Sequence, residues 1–141
     1  MVFFTSDLHL GHEKIIELTG RPFRDVNEMN RVLIENFNSR VGHGDTVYFL
    51  GDVCHRLKTE EANGMIARLN EKYFVMMHYP MLSWPKKENG SIQVHGHIHS
   101  RGPEYNLQNR KDGVLRFDVG VDANNFYPVS VNEILEFFNL K

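Results

Sequence analysis

Four apolar, β-rich runs each end in a polar phrase carrying aspartate or histidine. Residues 2–5 lead into Ser6-Asp7-Leu8-His9, residues 46–50 into Gly51-Asp52, residues 73–77 into His78, and residues 92–94 into His95-Gly96-His97-Ile98-His99. Carboxylates and imidazoles scattered along a chain are ordinary. At strand ends they gather where an α/β sheet opens its ligand crevice. The pattern calls for a fold that brings four strand ends together, and it suggests one polynuclear metal site.

The intervening segments alternate in character. Residues 12–18 can form one or two helical turns ending near Gly20. Asp25-Val26-Asn27-Glu28 has capping-box spacing, and Val26, Met29, Leu33 and Phe37 then recur at helical spacing to about Arg40. Gly42-His43-Gly44-Asp45 is a turn signal. Thr59 can cap a helix through Leu69, with Met65, Ile66 and Leu69 on its apolar side. Residues 114–121 predict another strand. Ser130-Val131-Asn132-Glu133 is a second capping box, opening a terminal helix with Val131, Ile134, Leu135 and Phe138 on the core side. Helices interleaved with strands in the first half, and more strands in the second, predict an α/β (α+β) fold: a mixed sheet flanked by helices. With no repeat, low-complexity tract or long linker, residues 1–141 are expected to form a single domain.

Composition narrows the function classes. A net charge of −2, with no long run of like charges, gives no broad attraction to nucleic acid or an anionic membrane. The opening Met1-Val2-Phe3-Phe4 lacks a basic leader and so does not read as a signal peptide. The apolar stretch 73–84 is broken by His78 and Pro80 and is too short to span a bilayer. A single cysteine, Cys54, excludes an internal disulfide framework and suits a reducing cytoplasm. The expectation is a cytoplasmic protein without a membrane segment.

Aspartate supplies a hard anionic oxygen that can bridge two cations, and neutral imidazole supplies a borderline nitrogen. Such a mixed set suits Mn²⁺, Fe, Zn²⁺ or Ni²⁺ better than Mg²⁺ or Ca²⁺. Residues two apart in a strand point the same way. Asp7 and His9 can therefore converge if their backbone stays extended, and so can His97 and His99. His12, His55 and Arg56 flank these residues and are candidate contacts for a substrate phosphate. Arg21, Arg24 and Arg101 are further candidate clamps, since a guanidinium matches phosphate oxygens in a fork. His95 reads as structural, His43 as solvated, Trp84 as packing, and Cys54 as a small buried hydrophobe.

In order along the chain, Asp7-Leu8-His9, Gly51-Asp52-Val53-Cys54, His78 and Gly96-His97-Ile98-His99 resemble the motifs of the calcineurin-like metallophosphoesterase family. Gly20-Arg21-Pro22-Phe23, His78-Tyr79-Pro80-Met81 and Val119-Gly120-Val121-Asp122 are similar to a small bacterial and phage branch of it. The resemblance runs from Phe4 to about Ile134. It implies a four-layer αββα sandwich and a dinuclear centre. Asp7, His9 and His99 would hold the first metal, Asp52 would bridge, and His78 and His97 would hold the second. It further implies two divalent ions, Mn²⁺ foremost. A metal-activated hydroxide would hydrolyse phosphomonoesters or phosphodiesters of small-molecule or nucleotide type. The family's Gly-Asn-His-Asp/Glu motif is absent: Tyr73-Phe74-Val75 runs straight into Met76-Met77-His78. That motif would have carried a metal-binding Asn and the catalytic His. Two alternatives follow, a catalytically impaired metal-binding module and a nuclease. The near-neutral composition argues against the nuclease.

Overall fold

The computed structural model describes residues 1–54 and 65–140. Its elements are β1 (Val2–Thr5), α1 (Lys14–Thr19), α2 (Val26–Arg40), β2 (Thr46–Phe49), β3 (Met65–Leu69), β4 (Lys72–Met76), β5 (Ile92–His95), α3 (Glu104–Lys111), β6 (Arg116–Asp118), β7 (Val129–Ser130) and α4 (Val131–Phe137). Short 3-10 turns occupy Lys87–Asn89 and Val121–Ala123. The strands form two mixed sheets, ordered β2-β1-β7 and β3-β4-β5-β6. β1 pairs parallel with β2 and antiparallel with β7. β4, β5 and β6 run parallel, with β3 antiparallel at the edge.

Side-chain alternation decides what each face meets. Phe4 from the first sheet and Phe74, Met76, Ile92 and Val94 from the second fill one core, and the Phe4 and Phe74 rings stack 5.4 Å apart. Each such buried side chain contributes about 1.5–3 kcal/mol of hydrophobic stabilisation. A second core joins Leu8, Ile15, Met29, Leu33 and Val121, and so seats α1 and α2 against the first sheet. Gln93 and His95 alternate with Ile92 and Val94 and so face the opposite side, where Tyr105 of α3 meets the His95 ring. Asn106 fastens α3 to β6: its Nδ2 donates to the Asp118 carbonyl at 3.1 Å, and its Oδ1 accepts from the Asp118 N–H at 2.7 Å. Val131, Ile134 and Leu135 of α4 lie in the main core.

Both expected helix caps form. Asp25 accepts from the Glu28 N–H at the start of α2, and Ser130 and Glu133 make a full capping box at α4. Gly20 ends α1 with φ 64°. Three expectations are corrected. Within 59–69, the part inside the described residues, Met65–Leu69, is a strand: it pairs with β4 through a turn whose central residues, Asn70 and Glu71, have φ 45° and 65°. Two successive positive φ values make the primed turn that matches hairpin twist, and this tertiary pairing overrides the helical spacing. The strand expected over 114–121 is shortened to Arg116–Asp118, because Val121–Ala123 winds into a 3-10 turn. Finally, α3 and β7 occupy segments where the sequence suggested no element. No helix among the described residues is long and apolar enough to cross a membrane.

Candidate metal centre

The parallel strands deliver their carboxyl ends to one place. Beyond β1 and β2, the pairing continues as Leu50 N–H to Thr5 O (2.9 Å), Asp7 N–H to Gly51 O (3.1 Å) and His9 N–H to Asp52 O (2.9 Å). This puts Asp7 and His9 beside Asp52. In the second sheet, Gly96 N–H reaches His78 O (3.0 Å) and Val119 N–H reaches His95 O (2.8 Å), so the ends of β4, β5 and β6 stay in step. The two sheets meet where Ser6 bridges to Gly120 and Asp7 Oδ2 accepts the His97 N–H at 2.9 Å.

Two donor groups result, each with ligand atoms within 4.8 Å of one another: Asp7, His9 and His99, and Asp7, Asp52 and His78. Asp7 belongs to both. His9 Nε2 and His78 Nε2 each lie 3.5 Å from Asp52 Oδ2, and His99 Nε2 lies 3.7 Å from Asp7 Oδ1. The structure thus brings together five of the six residues expected as ligands. His97 is in neither group: its ring is exposed and packs edge-on to Tyr79 at 4.5 Å and His78 at 5.1 Å.

The expected extended geometry at the histidine pairs is not what brings these side chains together. Asp7, His9, Asp52, His97 and His99 have φ of 58°, 53°, 51°, 72° and 47°, all left-handed. Such residues cost on the order of 1–3 kcal/mol each and persist where the surroundings over-determine them. Asp and His enter this region more readily than most residues. Two glycines make the approach possible. A Cβ on Gly96 would strike the Asp7 carboxylate and Ser6 Oγ, and one on Gly51, at φ 123°, would strike His78 Nδ1.

Electrostatics follow burial. Asp7 is 1% exposed, and burial pushes its carboxyl above the usual range despite the His97 N–H. Burial likewise lowers His9 to about 4 and so keeps its imidazole neutral. Asp7 Oδ1 and His9 Nε2 are buried atoms without a hydrogen-bond partner. His78 Nδ1 is 2.7 Å from the Leu50 carbonyl, so it carries the proton and Nε2 is left with the lone pair. His99 Nδ1 lies 2.8 Å from Asp122 Oδ2, and that bond raises the His99 pKa. Burial pushes Asp122 up, yet the bonds from His99 and Arg21 hold it below the usual carboxylate range.

The flanking candidates divide. His12 is half-buried, its Nδ1 3.4 Å from His9 Nδ1. His55 and Arg56 lie outside the described residues. Arg21 is corrected from phosphate clamp to buried strut: it donates to both Asp122 oxygens at 3.0 Å, to Leu8 O at 2.9 Å and to Asp7 O at 2.5 Å. Arg24 is exposed and pairs with Asp25, and Arg101 is exposed with its guanidinium against Gly20. His95 is structural as expected. It is fully buried between Gly96 O and the Tyr105 hydroxyl, and burial lowers it to about 4. Trp84 packs, donating to Ser91 O at 3.2 Å. Asp122 escaped the sequence reading as a site residue. The signal was present, since Val119-Gly120-Val121-Asp122 is another apolar run ending in a carboxylate.

The fold and site together define a two-sheet α/β protein with a carboxylate–imidazole cluster at its strand ends. The chain belongs to the same family as the uncharacterized protein MJ1445 of Methanocaldococcus jannaschii, with 32% identity covering 96% of this chain and 89% of that one. That alignment spans 160 positions against 141 residues here, so MJ1445 carries residues for which this chain has none. The Gene 66 protein of Mycobacterium phage L5 is 43% identical over 51 residues, which cover 36% of this chain and 24% of that protein. The crystal structure of AQ665, a protein of unknown function from Aquifex aeolicus, shares the fold. Its TM-score is 0.74 at 21% identity, covering 96% of this chain and 98% of that one. No family model matches the chain.

Proposed function

We propose that this protein is a metal-dependent phosphoesterase of the calcineurin-like kind, hydrolysing phosphomonoester or phosphodiester bonds of small-molecule or nucleotide-type substrates. Two divalent cations, Mn²⁺ foremost with Fe, Zn²⁺ or Ni²⁺ as alternatives, would occupy the two donor groups. One observation carries the reading: Asp7 Oδ1 and His9 Nε2 are buried without hydrogen-bond partners, and their residues share one potential ligand group. A buried group left unsatisfied costs about 1–3 kcal/mol, more when charged. A cation would satisfy both, and hard oxygen with borderline nitrogen suits the metals named.

In this reading Asp7 lends its charge to both groups. His9, neutral because it is buried, offers a lone pair at physiological pH. The Leu50 carbonyl and Asp122 fix the Nδ1 protons of His78 and His99 and leave Nε2 of each as the donor. Bound cations would polarise the phosphoryl group, neutralise its developing charge and lower the pKa of water. Tyr79 and His97 are both exposed and would meet the substrate at the rim. The free thiol of Cys54 suits a reducing cytoplasm as the working compartment.

A second reading, metal binding without turnover, draws on the segment where the family's third motif is missing. There β4 runs as a regular strand to Met76, paired on both sides, and Met77 alone separates it from His78. Without the motif's histidine, the general acid–base help it would give, typically about 10²–10⁴ in rate, is lost. The deciding experiment is hydrolysis of nitrophenyl phosphate and bis-nitrophenyl phosphate with Mn²⁺, before and after chelation. Chelator-sensitive turnover is expected. Bound metal with no turnover selects the second reading, and salt-sensitive binding to DNA or RNA would turn the assignment toward a nuclease.

A further inference from the structure

We propose that the Arg21–Asp122 ion pair is the positioning device of the Asp7–His9–His99 group, with Asp122 setting His99, a ligand that the other group does not share. The inference rests on the reading of that group as a cation site. Arg21 has a fully buried side chain and no access to a substrate, and it is hydrogen-bonded on every side. Through the carbonyls of Asp7 and Leu8 it grips the backbone between the first ligand, Asp7, and the second, His9. Through both oxygens of Asp122 it fixes the carboxylate that accepts the hydrogen bond from His99 Nδ1 at 2.8 Å. One guanidinium therefore ties the link after α1, the Asp7-Leu8-His9 loop and the 3-10 turn Val121–Ala123 into a single frame.

That frame has work to do. All three ligands of the group sit at left-handed φ, and an untied loop would relax away from it. Without Asp122, the His99 ring is free to turn its Nε2 away from Asp7. The Asp7–Asp52–His78 group is oriented differently: its imidazole is set by the Leu50 carbonyl, which Arg21 does not touch. An outer partner of this kind typically changes metal affinity by about 10–100-fold.

The test is a titration of the full chain with Mn²⁺ alone, followed by calorimetry and by electron paramagnetic resonance of free Mn²⁺, in the wild type, D122A and R21K. Unfolding in chelator reports whether each variant still folds, and D122N repeats the test if D122A does not. Two ions are expected on the wild type. In D122A one should bind about 10–100-fold more weakly and the other should stay within about threefold, whereas R21K, which also frees the shared Asp7, should weaken both, the same one more. A folded D122A or D122N in which both affinities are unchanged, or both fall equally, overturns the positioning role, and so does an R21K that binds both ions as the wild type does. A wild type that binds no Mn²⁺ overturns the cation-site reading itself.

Discussion

The two donor groups share Asp7 and are held by different means. Around His99, side chains do the holding: Asp122 sets the ring, Arg21 sets Asp122, and Asp118 lies just behind, its Oδ1 bonded to Gly120 N–H. A Cβ on Gly120 would meet both Asp118 Oδ1 and Asp7 Oδ2, which shows how closely these carboxylates crowd together. Around His78, one backbone carbonyl orients the imidazole, and the Asp52 side chain is 44% exposed. One half is thus a buried, multiply tied carboxylate nest, and the other is a more open shelf. A fold can set two imidazoles a few ångströms apart by different means, one through a chain of side chains and the other through a backbone carbonyl that is itself buried.

The largest effect should come from the residue that both halves use. Asp7→Asn keeps the shape and can still accept the His97 N–H, but it loses the charge common to both groups. Loss of both ions is expected, each by more than the roughly 100-fold that an outer partner commands. In chelator, Tm should be unchanged or higher, because burial disfavours the ionised Asp7 carboxyl in the folded protein. Mn²⁺ titration beside thermal unfolding checks this. If one ion persists at wild-type affinity, the halves do not share Asp7.

Next in size is the electrostatic load of the nest. Burial, with the neighbouring Asp7 adding to it, raises Asp118 to about 6 from its ordinary 3.8. Between those pH values the folded chain keeps a proton that the unfolded chain has lost. Asp118 therefore supports stability fully below about pH 4, and that support drains away as pH rises through 6. The difference amounts to about 3 kcal/mol. Asp118→Asn should remove this slope, so its stability relative to the wild type should rise by about that amount from pH 4 to pH 7. Urea unfolding of both chains in chelator measures the difference. A difference that stays flat with pH would mean that the nest carries no such load.

How much of this was legible in the sequence depended on where each residue's reason lies. β1, α2, β4, β5 and α4 follow from periodicity and caps that act over a few residues. Asp7, His9, Asp52, His78 and His99 announced themselves by type and strand-end position. The left-handed loops did not, because Asp and His tolerate that conformation without advertising it as glycine does. Arg21 and Asp122 are 101 residues apart, and only the folded chain makes them one unit. Met65, Ile66 and Leu69 fit a helix as readily as a strand, and pairing with β4 settled the matter. β7 has two residues and exists by pairing with β1, which leaves no local pattern to read.

A pair of glycine substitutions separates the halves at smaller cost. Gly96→Ala would press a methyl into Asp7 and Ser6, and Gly51→Ala would press one into His78 from a left-handed backbone. Each should destabilise the metal-free chain by about 1–3 kcal/mol, as overpacking does. Their binding signatures should differ. Gly96→Ala should weaken both ions through Asp7, and Gly51→Ala only the one nearest His78. Identical signatures would mean that the two groups respond as one.

His97 gives the smallest expected effect and the sharpest test of the open half. The proposed likeness to metallophosphoesterases would make it a ligand of the second metal, yet its ring lies outside both donor groups, exposed and edge-on to Tyr79 at 4.5 Å. Its backbone N–H, not its imidazole, is what holds Asp7. His97→Ala keeps that N–H and removes only the ring. Mn²⁺ affinity at both sites should then change by less than about threefold, below about 0.7 kcal/mol, while KM for a phosphate ester rises if the ring meets substrate at the rim. Complete loss of one ion in His97→Ala would place the imidazole in the metal shell. The ring would then have to swing off Tyr79 when the cation arrives, and the shelf would be a site that closes on its metal.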